Sequence, residues 1–320
     1  MSPMLDFIIV GAGPAGLACA IECEKKSLSY LVLDKGCVVN SIFHFPEGMT
    51  FFSTPDLLRI GDLAFVTEQF RPTRTQVLHY YVSLAKHYRL KLALYRRVTA
   101  IEKRDGVFAV AARHVNGREE RYTSRKVALA TGYYDNPNPL GIPGEELPKV
   151  SHYYGSPHPY YGQKVAVIGG KNSAAEAALA LYRAGARVTL IHRGPALNDA
   201  VKYWIRPDIE KRLEDGKIRA LFNASIAQIG PDAITVRMEG TEEILENDFV
   251  FALTGYRPDV GFMHSCGITF DPVTFVPAYD PKTMETNVAG LHLAGSVSAG
   301  INCNTVFIEN SRHHGRLIVG

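Results

Sequence analysis

The 320-residue sequence lacks the features that mark secretion, membrane insertion or nucleic-acid binding. No apolar run reaches the roughly 18 residues that a membrane-spanning helix requires. The first residues show no basic segment followed by an apolar stretch and a cleavage site, so no signal peptide is expected. There is no sustained basic run, and the net charge is only +3, which argues against a nucleic-acid partner. We therefore expect a cytoplasmic protein with no membrane partner.

Cysteine is also scarce and irregularly spaced. The five cysteines are Cys19, Cys23, Cys37, Cys266 and Cys303. Their number is odd and their spacing fits neither a metal site nor a Cys-x-x-Cys pair, so no metal is expected. The hydrophobic content of 46% and the charged content of 21% are typical of a globular protein. At this length the chain can form two domains, each with its own core.

Two glycine-rich strings dominate what the sequence does contain. The first is DFIIVGAGPAGLACAIE and the second is KVAVIGGKNSAAEAALALYRAGARVTLIHRG. Each follows a short apolar strand and opens an alanine-rich helix, the context in which such a string binds a nucleotide. Two nucleotides in one chain indicate electron transfer between them. The sequence therefore predicts an α/β fold with two Rossmann-like nucleotide-binding domains.

The order of the predicted elements indicates that one domain is inserted into the other. Further predicted elements are, in chain order, a helix at 75–87, strands at 97–102, 107–112 and 126–130, a helix at 202–214, and strands at 218–221, 234–238 and 250–254. The Pro- and Gly-rich segment YYDNPNPLGIPGEELP is a plausible domain boundary. We expect a discontinuous first domain, residues 1–147 and 248–320, and an inserted second domain, residues 148–247.

The first glycine string predicts an FAD site. Gly11 permits a tight turn, Gly13 admits a pyrophosphate close to the backbone, and Gly16 allows helix–strand packing. The helix that starts at Pro14 offers free N–H groups to phosphates, and Asp34 ends the next strand, where an acid accepts ribose hydrogen bonds. FAD is favoured over NAD because the C-terminal strand, turn and helix resemble a flavin-side closing motif. The predicted FAD residues are Gly11, Gly13, Pro14, Ala15, Gly16, Asp34, Lys35, Thr131, Gly132, Gly295, Ser296 and Asn302.

The second glycine string predicts an NADPH site in the inserted domain. Lys171 stands where a second loop glycine is common, but VTLIHR ends in His192 and Arg193, which can donate to a 2′-phosphate. The alternative is that these are solvent-exposed basic residues after a strand. The predicted NADPH residues are Gly169, Gly170, Asn172, Ser173, Ala174, His192 and Arg193.

The closing segment AGSVSAGINCNTVFIEN reads as a glycine turn followed by a helix that begins near Asn302. The positive end of such a helix would stabilise a reduced, anionic flavin ring. Ser296 stands where flavoproteins with an A-G-D string place an aspartate on the ribityl chain. His313 and His314 are predicted to be packing or surface residues.

These motifs together resemble the low-molecular-weight thioredoxin reductase superfamily. The likeness covers nearly the whole chain, including ATG at Ala130–Gly132, HR at His192–Arg193 and GYRPD. Within it, VVNSIFHFPEGMTFFSTPDLLRIGDLAF and VFIENSRHHG are similar to the YpdA-type family of bacillithiol disulfide reductases. The resemblance implies a homodimer that passes hydride from NADPH to FAD, and then electrons to a low-molecular-weight disulfide such as bacillithiol disulfide.

The chain departs from its relatives at two places that matter for disulfide chemistry. Where relatives carry a redox Cys-x-x-Cys it reads HYYGSPHPYYGQK, and the cysteine that the family often has in its first loop is Ala15 here. Cys303 is the candidate catalytic replacement, because a thiol at the start of a helix has a lowered pKa. The alternative is a small buried residue that fills space.

Other acceptors remain open at this point. A ferredoxin or flavodoxin reductase of the same fold needs no cysteine, although such enzymes commonly carry an aromatic extension and this sequence ends soon after its last predicted helix. A flavin monooxygenase is disfavoured by the lack of an F-x-G-x-x-x-H string. A non-enzymatic redox sensor is the remaining alternative. The electron acceptor is thus a small disulfide or a redox protein.

Overall fold

The computed structural model describes residues 3–302 and 305–320. The chain forms two compact units. The first unit contains residues 1–44, 48–136 and 256–320, and the second contains residues 45–47 and 137–255. No helix in the described part of the chain is long and apolar enough to span a bilayer.

The helices and strands alternate along the chain. The first stretch of the first unit contains β1 (Leu5–Val10), α1 (Pro14–Lys25), β2 (Tyr30–Leu33), α2 (Asn40–Phe43), α3 (Pro55–Leu58), α4 (Arg74–His87), β3 (Leu92–Ala93), β4 (Arg96–Arg104), β5 (Val107–His114) and β6 (Glu119–Leu129). The second unit contains β7 (Val150–Ser151), β8 (Lys164–Ile168), α5 (Asn172–Arg183), β9 (Arg187–Ile191), α6 (Arg206–Glu214), β10 (Arg219–Leu221), β11 (Ser225–Ile229), β12 (Ala233–Met238), β13 (Thr241–Glu246) and β14 (Phe249–Ala252). The first unit then ends with α7 (Val260–Ser265), β15 (Leu291–Leu293), α8 (Ile308–Ser311) and α9 (His314–Val319).

The first unit is built on one mixed sheet with the strand order β3-β2-β1-β6-β5-β4, and β15 also pairs with β6. The pairs that β1 makes with β2 and β6 are parallel, whereas β4, β5 and the first half of β6 form an antiparallel meander. Ile8 and Ile9 are fully buried, as expected for a strand that is covered on both faces. Ligands of such sheets bind beyond the carboxyl ends of the strands, where the strand order reverses.

The second unit contains a parallel sheet with the order β10-β9-β8-β14-β7 and a separate antiparallel sheet, β11-β12-β13. Its core includes the alanines of α5 packed beside Val165 and Val167 of β8. Small side chains on α5 let the helix approach the sheet closely. The parallel sheets confirm the expected α/β fold with Rossmann-like units.

The second unit contains more residues than the inserted segment 148–247 that the sequence predicts. The strand β14 lies beyond residue 247, yet it pairs in parallel with both β8 and β7. Before residue 148, Leu140, Ile142 and Leu147 pack against the same core as Val250. The main segment of the second unit therefore begins at Pro137 and ends at Gly255.

Several predicted elements have different limits in the structure. The helix expected over 202–214 begins only at Arg206, because Pro207 is tolerated in the first turn and not in the interior of a helix. The C-terminal helix is divided into α8 and α9, and α8 begins at Ile308 and not near Asn302. The strands β11 and β13 were missed, whereas the helices at α1 and α4 were predicted to within one residue.

Candidate functional site

The loop between β1 and α1 has the shape of a phosphate cradle. Gly11 has φ +112°, and a Cβ there would lie 2.8 Å from the carbonyl carbon of Ala130. A Cβ on Gly16 would overlap the Gly11 carbonyl oxygen. Around Gly13, by contrast, a Cβ would meet no atom of the described chain within 4 Å apart from its own neighbours. Gly13 is also the N-cap of α1 and has no side chain, so no side-chain cap bonds the first N–H groups of this helix.

Asp34 holds this loop from the end of β2. Its carboxylate accepts hydrogen bonds from the N–H groups of Ala12 at 2.7 Å and Gly36 at 2.8 Å. Burial raises the pKa of Asp34, and the two N–H groups oppose that rise only in part. The adjacent Lys35 pairs with Asp135 at 2.7 Å. A carboxylate has lone pairs beyond these two bonds, so Asp34 can also accept from a ribose hydroxyl.

Two further segments converge on the first loop. Thr131 and Gly132 follow β6, and a Cβ on Gly132 would lie 3.7 Å from the Ser296 hydroxyl. Gly295 has φ +78°, and a Cβ there would lie 2.8 Å from the Cβ of Ala15. The structure therefore brings together three of the segments that the sequence assigns to FAD.

The end of the closing segment does not have the expected form. Asn302 lies in an exposed loop and not at a helix start, so the predicted helix dipole at this residue is wrong. The reason is local: the Asn310 side chain accepts the Phe307 N–H at 2.8 Å and caps α8 there. Cys303 lies outside the described residues, and its catalytic role stays a prediction.

The loop between β8 and α5 forms a second cradle in the second unit. Gly169 has φ +147°, and a Cβ there would lie 2.7 Å from the Leu253 carbonyl oxygen and 3.0 Å from the Cβ of Ala174. The N-cap residue Lys171 makes no side-chain hydrogen bond to the start of α5. The first N–H groups of this helix are thus left for an anion, which its positive end favours.

Asn172 links the start of α5 to the segment 200–202. Its amide nitrogen donates to the Ala200 carbonyl at 3.0 Å, and its amide oxygen accepts the Lys202 N–H at 2.9 Å. It therefore ties the 200–202 segment to the cradle. Ser173, the next residue, is exposed in the same turn.

The two basic residues after β9 are placed differently. The His192 ring lies against the backbones of Gly170 and Gly194, where an added Cβ would clash with it. Burial and the neighbouring Arg193 lower the pKa of His192, which favours its neutral form. Arg193 is exposed, and no ion pair or hydrogen bond within residues 3–302 and 305–320 engages its guanidinium. Arg193 is therefore a candidate cation for a 2′-phosphate, and this role stays a prediction.

Two residues near these cradles were missed by sequence reasoning. Glu176 lies on α5 between the buried Ala175 and Ala177, and burial raises its pKa to about 7. A single acid within an alanine run was the signal that could have found it. His314 was predicted to be a packing or surface residue; it is partly buried, and the acceptance of the Gly295 N–H by its Nδ1 at 3.1 Å was not predicted. No pattern in the sequence links residues 295 and 314.

The cysteines of the described chain are poorly suited to act as thiolates. Cys19 and Cys23 are buried on α1, and burial raises the pKa of both thiols, that of Cys23 to about 12. Burial also raises the pKa of Cys37, and that of Cys266 to about 11. Since the thiolate is the nucleophile in disulfide exchange, none of these four is prepared for that reaction.

Comparison with known proteins decides the family. The sequence profile of the pyridine nucleotide-disulphide oxidoreductases matches residues 8–295, a span that includes both cradles. The chain belongs to this family. It is an oxidoreductase, and its cofactors are FAD and NADPH.

Individual members of the pyridine nucleotide-disulphide oxidoreductases resemble this chain over almost its full length. It is 43% identical to the bacilliredoxin reductase Bdr of Bacillus subtilis (strain 168) over 311 residues, which cover 96% of this chain and 94% of the relative. The bacillithiol disulfide reductase Bdr (YpdA) from Bacillus cereus matches with a TM-score of 0.97 and 42% identity, covering 99% of this chain and 98% of that one. The corresponding enzyme from Staphylococcus aureus matches with a TM-score of 0.94 and 40% identity, covering 99% and 97%.

Proposed function

We propose that the protein is an NADPH-dependent reductase of bacillithiol disulfide. Identity of 40–43% over nearly the whole chain to proteins named for bacilliredoxin or bacillithiol disulfide supports this substrate. The single observation that carries the catalytic part is the pair of uncapped helix starts, at α1 and α5, each preceded by a strand and a glycine turn. One chain can thus hold two dinucleotides.

FAD is assigned to the first unit. The N–H groups at the start of α1 would hold its pyrophosphate, since Gly13 leaves room for phosphate oxygens beside the backbone. Asp34 would accept from the adenosine ribose, while Gly132 and Ser296 would line the path towards the flavin. When bound, FAD supplies the two-electron chemistry that links a nicotinamide to a disulfide.

NADPH is assigned to the second unit. The start of α5 would hold its pyrophosphate, and the exposed Arg193 would pair with the 2′-phosphate through charge-assisted hydrogen bonds. The ring of His192, packed on Gly170, would shape the floor of the cradle and not add a positive charge.

The overall reaction consumes one NADPH and one proton, breaks one S–S bond and releases two thiols and NADP⁺. Ala15 provides no thiol at the loop position, and the four described cysteines have thiols with raised pKa values. We therefore propose that the disulfide is reduced without a mixed disulfide to any cysteine in the described chain.

The proposal is tested by the choice of electron acceptor. NADPH oxidation is followed with bacillithiol disulfide, oxidised bacilliredoxin, ferredoxin and oxygen, each as the only acceptor. We expect bacillithiol disulfide to give the highest kcat/KM, with two thiols released per NADPH. Faster turnover with ferredoxin or oxygen would contradict a disulfide reductase. Turnover with bacilliredoxin alone would show that the substrate is a protein disulfide and not a small disulfide.

We also propose that the enzyme acts as a cytoplasmic homodimer. The support is the likeness to the YpdA-type proteins described above.

A further inference from the structure

The turn that closes the flavin side of the first unit is held by a histidine from the last helix. The Gly295 N–H donates to Nδ1 of His314 at 3.1 Å, across 19 residues of sequence. Because Nδ1 accepts, the proton of a neutral ring is on Nε2. His314 is partly buried at the start of α9, so its ring is not a freely moving surface group.

The residue that His314 holds lies between two parts of the FAD cradle. Gly295 has φ +78° and approaches Ala15 of the first loop so closely that a Cβ would come within 2.8 Å of the alanine Cβ. Next to it, the Ser296 hydroxyl faces Gly132. A shift of this turn would therefore change both the phosphate loop and the segment after β6.

The helix that carries His314 is itself fixed on α1. A Cβ on Gly315 would lie 2.7 Å from the carbonyl carbon and oxygen of Ala18 and 2.9 Å from the Cys19 nitrogen. The backbone of α9 thus contacts the backbone of α1, the helix that begins at the FAD loop. The backbone that carries the His314 ring is therefore held in place beside α1.

We propose that His314 is a positioning residue for FAD, whose neutral ring accepts the Gly295 N–H and so holds the 295–299 turn against Ala15 and Gly132. This inference rests on the proposed placement of FAD in the first unit. It goes beyond that placement because it makes cofactor retention depend on one acceptor atom, Nδ1, outside the nucleotide motifs.

The same bond makes FAD retention depend on pH. Burial, and secondarily His313, lower the pKa of His314, so the accepting neutral form is present at neutral pH. Protonation of Nδ1 at lower pH removes the acceptor. The charged groups on the packed helices are Glu22, Glu24 and Lys25 of α1, with Lys26 directly after it, Glu309 of α8, with Arg312 directly after it, and Arg316 of α9. Of these, Glu22 is paired with Lys25 and Arg316, and Lys26 donates to the Val319 carbonyl.

The test compares His314→Leu with His314→Asn. The amide oxygen of asparagine can take the place of Nδ1 but cannot be protonated at these pH values, whereas leucine fills space without an acceptor. The matched control is His79→Leu, because His79 is exposed on α4 and lies outside this turn. Dissociation constants for FAD are measured from flavin fluorescence with the full chain at pH 8 and pH 5, and folding is checked by far-ultraviolet circular dichroism.

At pH 8 we expect His314→Leu to weaken FAD binding about tenfold or more, because a partly buried N–H loses its acceptor. His314→Asn should stay within about threefold of the wild type. Between pH 8 and pH 5 the wild type should lose affinity, while His314→Asn should not. Equal affinity of His314→Leu and the wild type at pH 8 would overturn the proposal, as would an asparagine variant as weak as leucine. If the wild type binds no FAD, the placement of FAD itself fails.

Discussion

We propose that the choice between the two nicotinamide cofactors depends on one exposed side chain, Arg193. Arg193 follows β9 by two residues, and no ion pair within the described residues engages its guanidinium. Loss of one charge-assisted hydrogen bond costs about 1.5–3 kcal/mol. We expect Arg193→Ala to weaken NADPH binding by roughly tenfold or more and to leave NADH binding nearly unchanged, because NADH has no 2′-phosphate.

The matched control for this change is Arg187→Ala. Arg187 is exposed at the opposite end of β9. Its replacement by alanine therefore removes the same charge without changing the cradle. Binding is followed as flavin reduction in a stopped-flow experiment with each cofactor. A similar loss of NADPH and NADH affinity in Arg193→Ala would contradict a role in 2′-phosphate recognition.

The contact between α1 and α9 determines how the last helix is placed. Alanine is favoured over glycine inside a helix by about 1 kcal/mol, so helix propensity alone predicts that Gly315→Ala stabilises the protein. The new Cβ would, however, meet the backbone at Ala18. Since backbone atoms cannot move aside as a flexible side chain can, we expect a net destabilisation of about 1–3 kcal/mol.

Thermal unfolding measured by circular dichroism checks this expectation. Gly48→Ala is the control, because a Cβ there meets no described atom within 4 Å beyond its neighbours. The melting temperature should fall for Gly315→Ala and stay nearly unchanged for Gly48→Ala. A rise in Gly315→Ala would show that α9 shifts at little cost and that its contact with α1 is not tightly fixed.

For the whole molecule, the proposed assembly is a homodimer. Light scattering of the FAD-bound protein, coupled to size exclusion, should give a molar mass of twice the chain. The mass should stay constant over a tenfold dilution from micromolar concentration if the dimer is stable. A mass equal to a single chain would contradict the assembly that the family resemblance implies.

The sequence alone determined the parts of this protein that depend on neighbouring residues. The glycine turns at Gly11 and Gly169 and the helices that follow them were predicted because strand, turn and helix lie within a few tens of residues. Asp34 was also placed correctly at the end of β2, since the spacing of a βαβ unit fixes that position. The two nucleotide sites were expected from these local patterns, whereas the family was expected from the resemblance of longer motifs such as VFIENSRHHG.

Only the tertiary structure decided which distant residues meet. It showed that β14 joins the sheet of the second unit, that Gly295 approaches Ala15, and that His314 accepts the Gly295 N–H. It also showed that burial raises the pKa values of the described thiols. Such contacts arise from the packing of elements that are far apart in the chain, where side-chain burial and donor–acceptor distance depend on the fold and not on local pattern.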